Sequence, residues 1–155
     1  MLDWEYKLFV KDLFAMSVSE DTAKEISGAN ISEALAFVNQ NNYFNSRFSH
    51  CMNVFEGFGK CSFVSTVVFF RDDPPKPLIS NSWKQCVFRE KAYSCISDST
   101  SEVGVELLEK CLRSAKAWIN IRGIEIFSIS HDVEVYKDVG SVATMSSVII
   151  FYQET

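Results

Sequence analysis

Between Ile124 and Tyr152 apolar and polar residues alternate. Phe127, Ile129, His131, Val133 and Val135 take one phase, and Ser128, Ser130, Asp132, Glu134 and Tyr136 the other, the period of two that marks a half-buried strand. KDVGS at 137–141 supplies turn residues and the chain returns through SVIIF, so the pattern predicts a β-hairpin. Upstream the period changes. Leu108, Cys111, Leu112, Ala115, Trp118 and Ile119 recur at three- and four-residue spacing, which predicts a helix over about 101–121 with one apolar stripe, and Gly123 follows as its stop. Before that helix WKQCVFREKAYSC alternates and is rich in strand-forming residues.

The same order occupies the first half. Shifted by 81 positions, residues 34–70 lie on 115–151 without a gap, and ten of the 37 pairs are identical, among them Ala34 with Ala115, Asn39 with Asn120, Ser49-His50 with Ser130-His131 and Phe70 with Phe151. WEYKLFVKDLFAM has the look of an amphipathic helix, but its alignment on Trp83 makes it a strand. A helix starts near Ser19, is interrupted at Gly28 and restarts at the capping-box-like NISE of 30–33, with Ile31, Ala34, Phe37 and Val38 as its stripe. A strand follows with Phe48, His50, Met52 and Val54 turned inward, then a turn at EGFGK and a return ending in VVFF.

The expected fold is therefore α+β: a tandem duplication of a βαββ unit, with antiparallel sheets and two main helices packed on one face. Residues 1–155 form a single domain of two repeats, 1–71 and 83–155, joined by the segment 72–82 that holds all three prolines. The ends VVFF and VIIF are apolar on both phases, so both sides of the sheet are expected to be covered there, by the other repeat or by a second chain. In element order alone, over the whole chain, this layout resembles the GyrI-like and SOUL class of small-ligand-binding domains; no motif carries the resemblance and no residue role is transferred.

Composition narrows the function classes. The chain has 155 residues, 47% of them hydrophobic, and a net charge of −5 with its basic residues scattered, which opposes nucleic-acid binding. No apolar run is long enough to span a bilayer, and MLDWEYK carries no signal-peptide core, so a cytoplasmic location is expected. Five cysteines without a C-x-x-C spacing read as free thiols.

Catalytic motifs are missing: there is no G-x-S-x-G elbow and no phosphate-binding glycine loop. The acidic pairs Glu20-Asp21 and Asp72-Asp73 suit a helix start and the proline segment. No catalytic residue, metal site or cofactor is expected. His50 and His131, the two histidines, stand at matching places and are the candidate ligand-binding pair; should the repeats pack about a twofold axis, they face each other. Tyr43, Phe44 and Arg47 have the composition of a partner contact. The leading reading is a non-enzymatic protein-binding module, such as a cytoplasmic immunity or inhibitor protein that covers a basic toxin or nuclease. Two others stand beside it: a small-molecule sensor with a pocket between the repeats, and a homodimer or larger structural assembly in which VVFF and VIIF pair across chains.

Overall fold

The structure, a computed structural model, describes residues 2–15, 20–56, 60–77, 82–94, 100–138 and 141–153. Its order is β1 (Glu5–Ala15), α1 (Glu20–Asn41), β2 (Asn45–Glu56), β3 (Lys60–Arg71), β4 (Lys84–Ser94), α2 (Thr100–Arg122), β5 (Glu125–Asp138) and β6 (Ser141–Gln153). The strands form two three-stranded antiparallel sheets: sheet A, ordered β1-β3-β2, and sheet B, ordered β4-β6-β5. The chain is thus α+β. In each sheet the last strand of the half lies in the middle, with both edges hydrogen-bonded, so VVFF and VIIF have no free edge with which to pair across chains; that route to an assembly is closed.

Helix ends follow from left-handed residues. Gly123 has φ 64° and Asn42 φ 55°, and Ile124 N–H donates to Ile119 O at 3.1 Å as Tyr43 N–H does to Val38 O at 3.4 Å, the wrap that satisfies carbonyls at a helix C-terminus. The expected interruption at Gly28 is absent, and α1 runs through it. An interior glycine costs a helix only about 1 kcal/mol, and side chains on both sides of it are tied down: Ser27 to His50 of β2, and Asn30 Nδ2 to Phe9 O and Thr66 Oγ1 of sheet A. The turns EGFGK and KDVGS include residues 57–59 and 139–140, which lie outside the described residues, as do 78–81 of the proline segment.

One core serves both halves. Trp4, Phe63, Val67 and Phe69 of the first half are buried with Leu108, Cys111, Leu112, Ala115, Ile119, Ile129, Val133, Val148 and Ile150 of the second. Phe37 of α1 meets Phe9 and Phe70 of sheet A with ring centroids at 5.8 and 5.2 Å; Trp118 of α2 meets Phe88 and Tyr152 of sheet B at 5.8 and 5.2 Å. Helix α2 also reaches sheet A through Tyr6 Oη to Glu109 and Lys116 to Glu5. Residues 63–69 of β3 are buried on both faces, whereas β6 alternates, with Ile149 and Phe151 only half-buried.

Two expected strand faces come out differently. The register of β5 on β6 shifts between Ile126 and Ser128, a bulge that turns Ile126 in and leaves Phe127 50% exposed. In β2, Phe48 and Met52 are exposed and the polar set Arg47, Ser49, Cys51 and Asn53 is turned inward.

Candidate functional site

The two halves meet where β2 lies against the free edge of β5. An unpaired strand edge carries backbone groups that need partners, and the inward side chains of β2 supply them. Arg47 Nε donates to Ile126 O at 2.9 Å, Asn53 Nδ2 donates to Val133 O, and Ser49 Oγ accepts the His131 N–H at 3.1 Å. An apolar β2 face would leave those groups bare, so polar residues occupy the phase expected to be apolar.

His131 is buried in this seam. Its Nδ1 lies 2.6 Å from Ser49 Oγ and its Nε2 2.8 Å from Ser65 Oγ, a pattern that one ring proton satisfies, with Ser49 donating to Nδ1 and Nε2–H donating to Ser65. Burial, helped by the nearby His50, pushes its pKa down to about 4, against a smaller opposing pull from Asp132. His50 is largely exposed on the other side of sheet A, between Ser27 Oγ at 2.6 Å and Thr66 Oγ1 at 2.8 Å, and the partial desolvation of its ring lowers its pKa as well. The two imidazoles stand on opposite faces of sheet A instead of facing each other across an axis.

Neither histidine is set up as a base. Each holds two hydroxyls, and among the described residues no carboxylate orients it, whereas nucleophile activation needs a base steered by a third group. Cys51 points away from His50 and donates to Asp132 Oδ1 at 3.3 Å; burial and that carboxylate push its pKa up to about 11, so it stays a thiol. Cys51, Cys86 and Cys111 are free, and the side chains of Cys61 and Cys95 lie outside the described residues. Among the described residues no group of three or more His, Cys, Asp or Glu is placed to hold a metal, and no helix is long and apolar enough to cross a membrane.

A second cluster, which the sequence pattern did not single out, closes the seam. Trp4 is 1% exposed; its Nε1–H donates to Ile124 O, while the Asn120 amide accepts its backbone N–H at 2.8 Å and donates to its carbonyl at 2.9 Å. The Arg71 guanidinium lies 4.7 Å from the Trp4 ring and pairs with Glu125 and Asp73. Glu125 also accepts from Asn45 at 2.7 Å. Arg71 and Glu125 sit at strand ends in the sequence, where charged residues ordinarily reach water; the repeated Trp and Asn were the available signal.

Of the expected partner contact, Tyr43 is half-buried and packs on Phe37 and Phe70, and Arg47 is engaged in the seam, where burial lowers its pKa. Phe44 stands out, 72% exposed. A groove of about 720 Å³ lies between β1 and α2, lined by Tyr6, Leu8, Glu109, Arg113, Lys116 and Asn120 among others. His50 and His131 do not line it.

A further apolar exposure lies on the other half. On sheet B, the face away from α2 presents Val87 at 38%, Tyr93 at 72% and Tyr136 at 52% exposure around the half-buried Met145, Ile149 and Phe151. At its end Trp83 and Phe127, each 50% exposed, form a tilted ring pair with centroids at 4.4 Å. No described helix packs on this face. Compared with known proteins, the chain matches no family model, no curated protein and no solved structure.

Proposed function

We propose that the two halves are copies of one βαββ unit and that the chain is a non-enzymatic protein-binding module whose contact surface is the open face of sheet B. The duplication is supported by matching rows: Phe9, Thr66 and His50 stand side by side across sheet A as Phe88, Val148 and His131 do across sheet B. The rows imply shifts of 79 residues for the first strand, 81 for the second and 82 for the third. The helices fit the 81-residue shift, since Phe37 packs on Phe9 and Phe70 as Trp118 packs on Phe88 and Tyr152; each then lies on the same side of its own sheet.

The observation that carries the functional reading is the exposed aromatic and aliphatic face itself, with its Trp83–Phe127 pair. Contiguous apolar patches on a soluble fold mark interaction sites, and aromatic anchors dominate binding energies. A basic toxin or nuclease as partner draws only on the net charge of −5; the face itself sets Arg89 and Lys91 in the same rows as Asp132 and Glu134, so it selects no partner charge. Ligand binding between the halves has the β1/α2 groove in its favour, without the histidines once expected to line it. The test is native mass spectrometry of the untagged protein from its own host, comparing the wild type with Val87→Glu. Complexes are expected to vanish in the variant while its melting temperature holds; complexes that persist unchanged would refute the assignment of the face.

A further inference from the structure

The inference rests on the protein-binding reading of sheet B and names the occupant. We propose that the open face is taken by the α1/β2 end of a second copy of this chain, docked head to tail as the second half is docked on the first within one molecule.

Inside the molecule, sheet A receives the second half through Trp4, Ser49, Ser65 and Phe69. The incoming residues are Asn120, which holds the Trp4 backbone, and His131, which sits between the two serines. Under the shifts of 79, 81 and 82 residues the receiving set becomes Trp83, Ser130, Ser147 and Phe151, and the incoming set becomes Asn39 and His50. All six positions carry the same residue type in both halves. One member of each pair is engaged in the internal interface. The twins of the receiving set lie on the open face of sheet B, and Asn39 and His50 are exposed at the opposite end of the molecule.

The apolar surfaces correspond too. Along the third strands the receiving faces read Phe63, Ser65, Val67, Phe69 in sheet A and Met145, Ser147, Ile149, Phe151 in sheet B; the first set is fully buried, the second half-buried. On α1, Ile31 and Leu35 are 37% and 45% exposed, whereas Leu112, which matches Ile31, is 0% exposed in the common core. The correspondence stops at Arg47 and Asn53: the counterpart Ser128 is too short to replace the guanidinium that reaches Ile126 O, and Glu134 cannot donate to a carbonyl as Asn53 does to Val133 O, so the contact centres on Trp83, Ser130 and Ser147. On docking, His50 exchanges Ser27 and Thr66 for two hydroxyls of its neighbour. The free end is therefore hydrogen-bonded before it binds.

Such a contact uses two different surfaces and does not close on itself, so it builds chains or rings. Sedimentation velocity on the full chain over a concentration series tests it. The wild type is expected to grow beyond a dimer, and Asn39→Ala to weaken association about tenfold through the lost backbone bonds. Ile149→Asp blocks the receiving face and Leu35→Asp the incoming one; each alone should be monomeric, and a mixture of the two should form a dimer and stop there. Val87→Asp replaces Ile149→Asp should the latter fail to fold. A wild type that is monomeric throughout, single variants that still dimerise, or a mixture that stays monomeric would overturn the head-to-tail contact. If the wild type is monomeric but a host protein is lost on Val87→Glu, only the identity of the occupant falls; if no complex of either kind is found, the protein-binding reading falls with it.

Discussion

His131 makes stability depend on pH in a defined window. Its folded pKa is about 4 against an ordinary value of 6.5, so between those values the unfolded chain binds a proton that the folded chain refuses. Stability is then full above about pH 6.5 and drains as the pH falls to about 4, at a slope of about 1.4 kcal/mol per pH unit and a total of about 3 kcal/mol. That is a large share of the 5–15 kcal/mol typical of a domain. Urea denaturation at half-unit steps from pH 8 to 4.5 measures it, with His131→Gln as the reference because an amide keeps hydrogen-bonding groups near Ser65 and does not titrate. Carboxylates titrating toward the acid end act in both proteins and cancel in the difference; His50 remains in both and shifts in the same sense. The wild-type curve should fall away from that of the variant through this window. Parallel curves would mean that His131 charges freely in the fold, and the buried Ser49–His131–Ser65 seam would be wrong.

Glu125→Gln keeps the shape of the Arg71–Glu125 pair and removes its charge; Arg71 retains Asp73 but loses a charged hydrogen-bond partner, a cost of about 1.5–3 kcal/mol, so the urea midpoint should drop with m unchanged. A Cβ on Gly104 would lie 2.8 Å from Val133 Cγ1; Gly104→Ala should cost about 1–3 kcal/mol by overpacking, and Val133→Ala in the same chain should recover part of it, as a double-mutant cycle will show. With the Cys51 thiol held up at about 11, its alkylation in the native protein at pH 8 should be far slower than that of an unfolded cysteine, followed by mass spectrometry of the Cys51 peptide.

Element types were legible because period and punctuation agreed. The α2 stripe is buried at Leu108, Cys111, Leu112, Ala115 and Ile119, and its end lies at Gly123 as the pattern predicts. The first strand was legible only through its partner, since WEYKLFVKDLFAM alone fits a helix as well. Which face each strand turns inward was less legible. The ungapped shift of 81 laid Phe70 on Phe151, yet Phe70 packs under α1 while Phe151 belongs to the open face; the rows of the two sheets require one extra residue in the second hairpin, and a slip of one residue moves a whole strand to the other face. Because serine stands at both 146 and 147 and β-branched residues at 148 and 149, identity counting could not see the slip.

The site was hidden for a related reason. Hydrophobic patterning finds faces that meet apolar surface, but β2 meets a strand edge, and an edge calls for Arg47, Ser49 and Asn53 where the pattern asks for Phe48 and Met52. Of the matched histidines only His131 lies in the seam, and the geometry of both depends on how the halves are stacked. Under a twofold axis His50 and His131 would be neighbours in one site. In the arrangement found, the second half sits behind the first, and each histidine belongs to the front of its own sheet: His131 spends its ring on Ser49 and Ser65, and His50, with no half in front of it, turns back to Ser27 and Thr66. The second half has Leu108 and Val148 where the first has those two partners, so His131 has no equivalent retreat, and its burial depends on the first half staying in place.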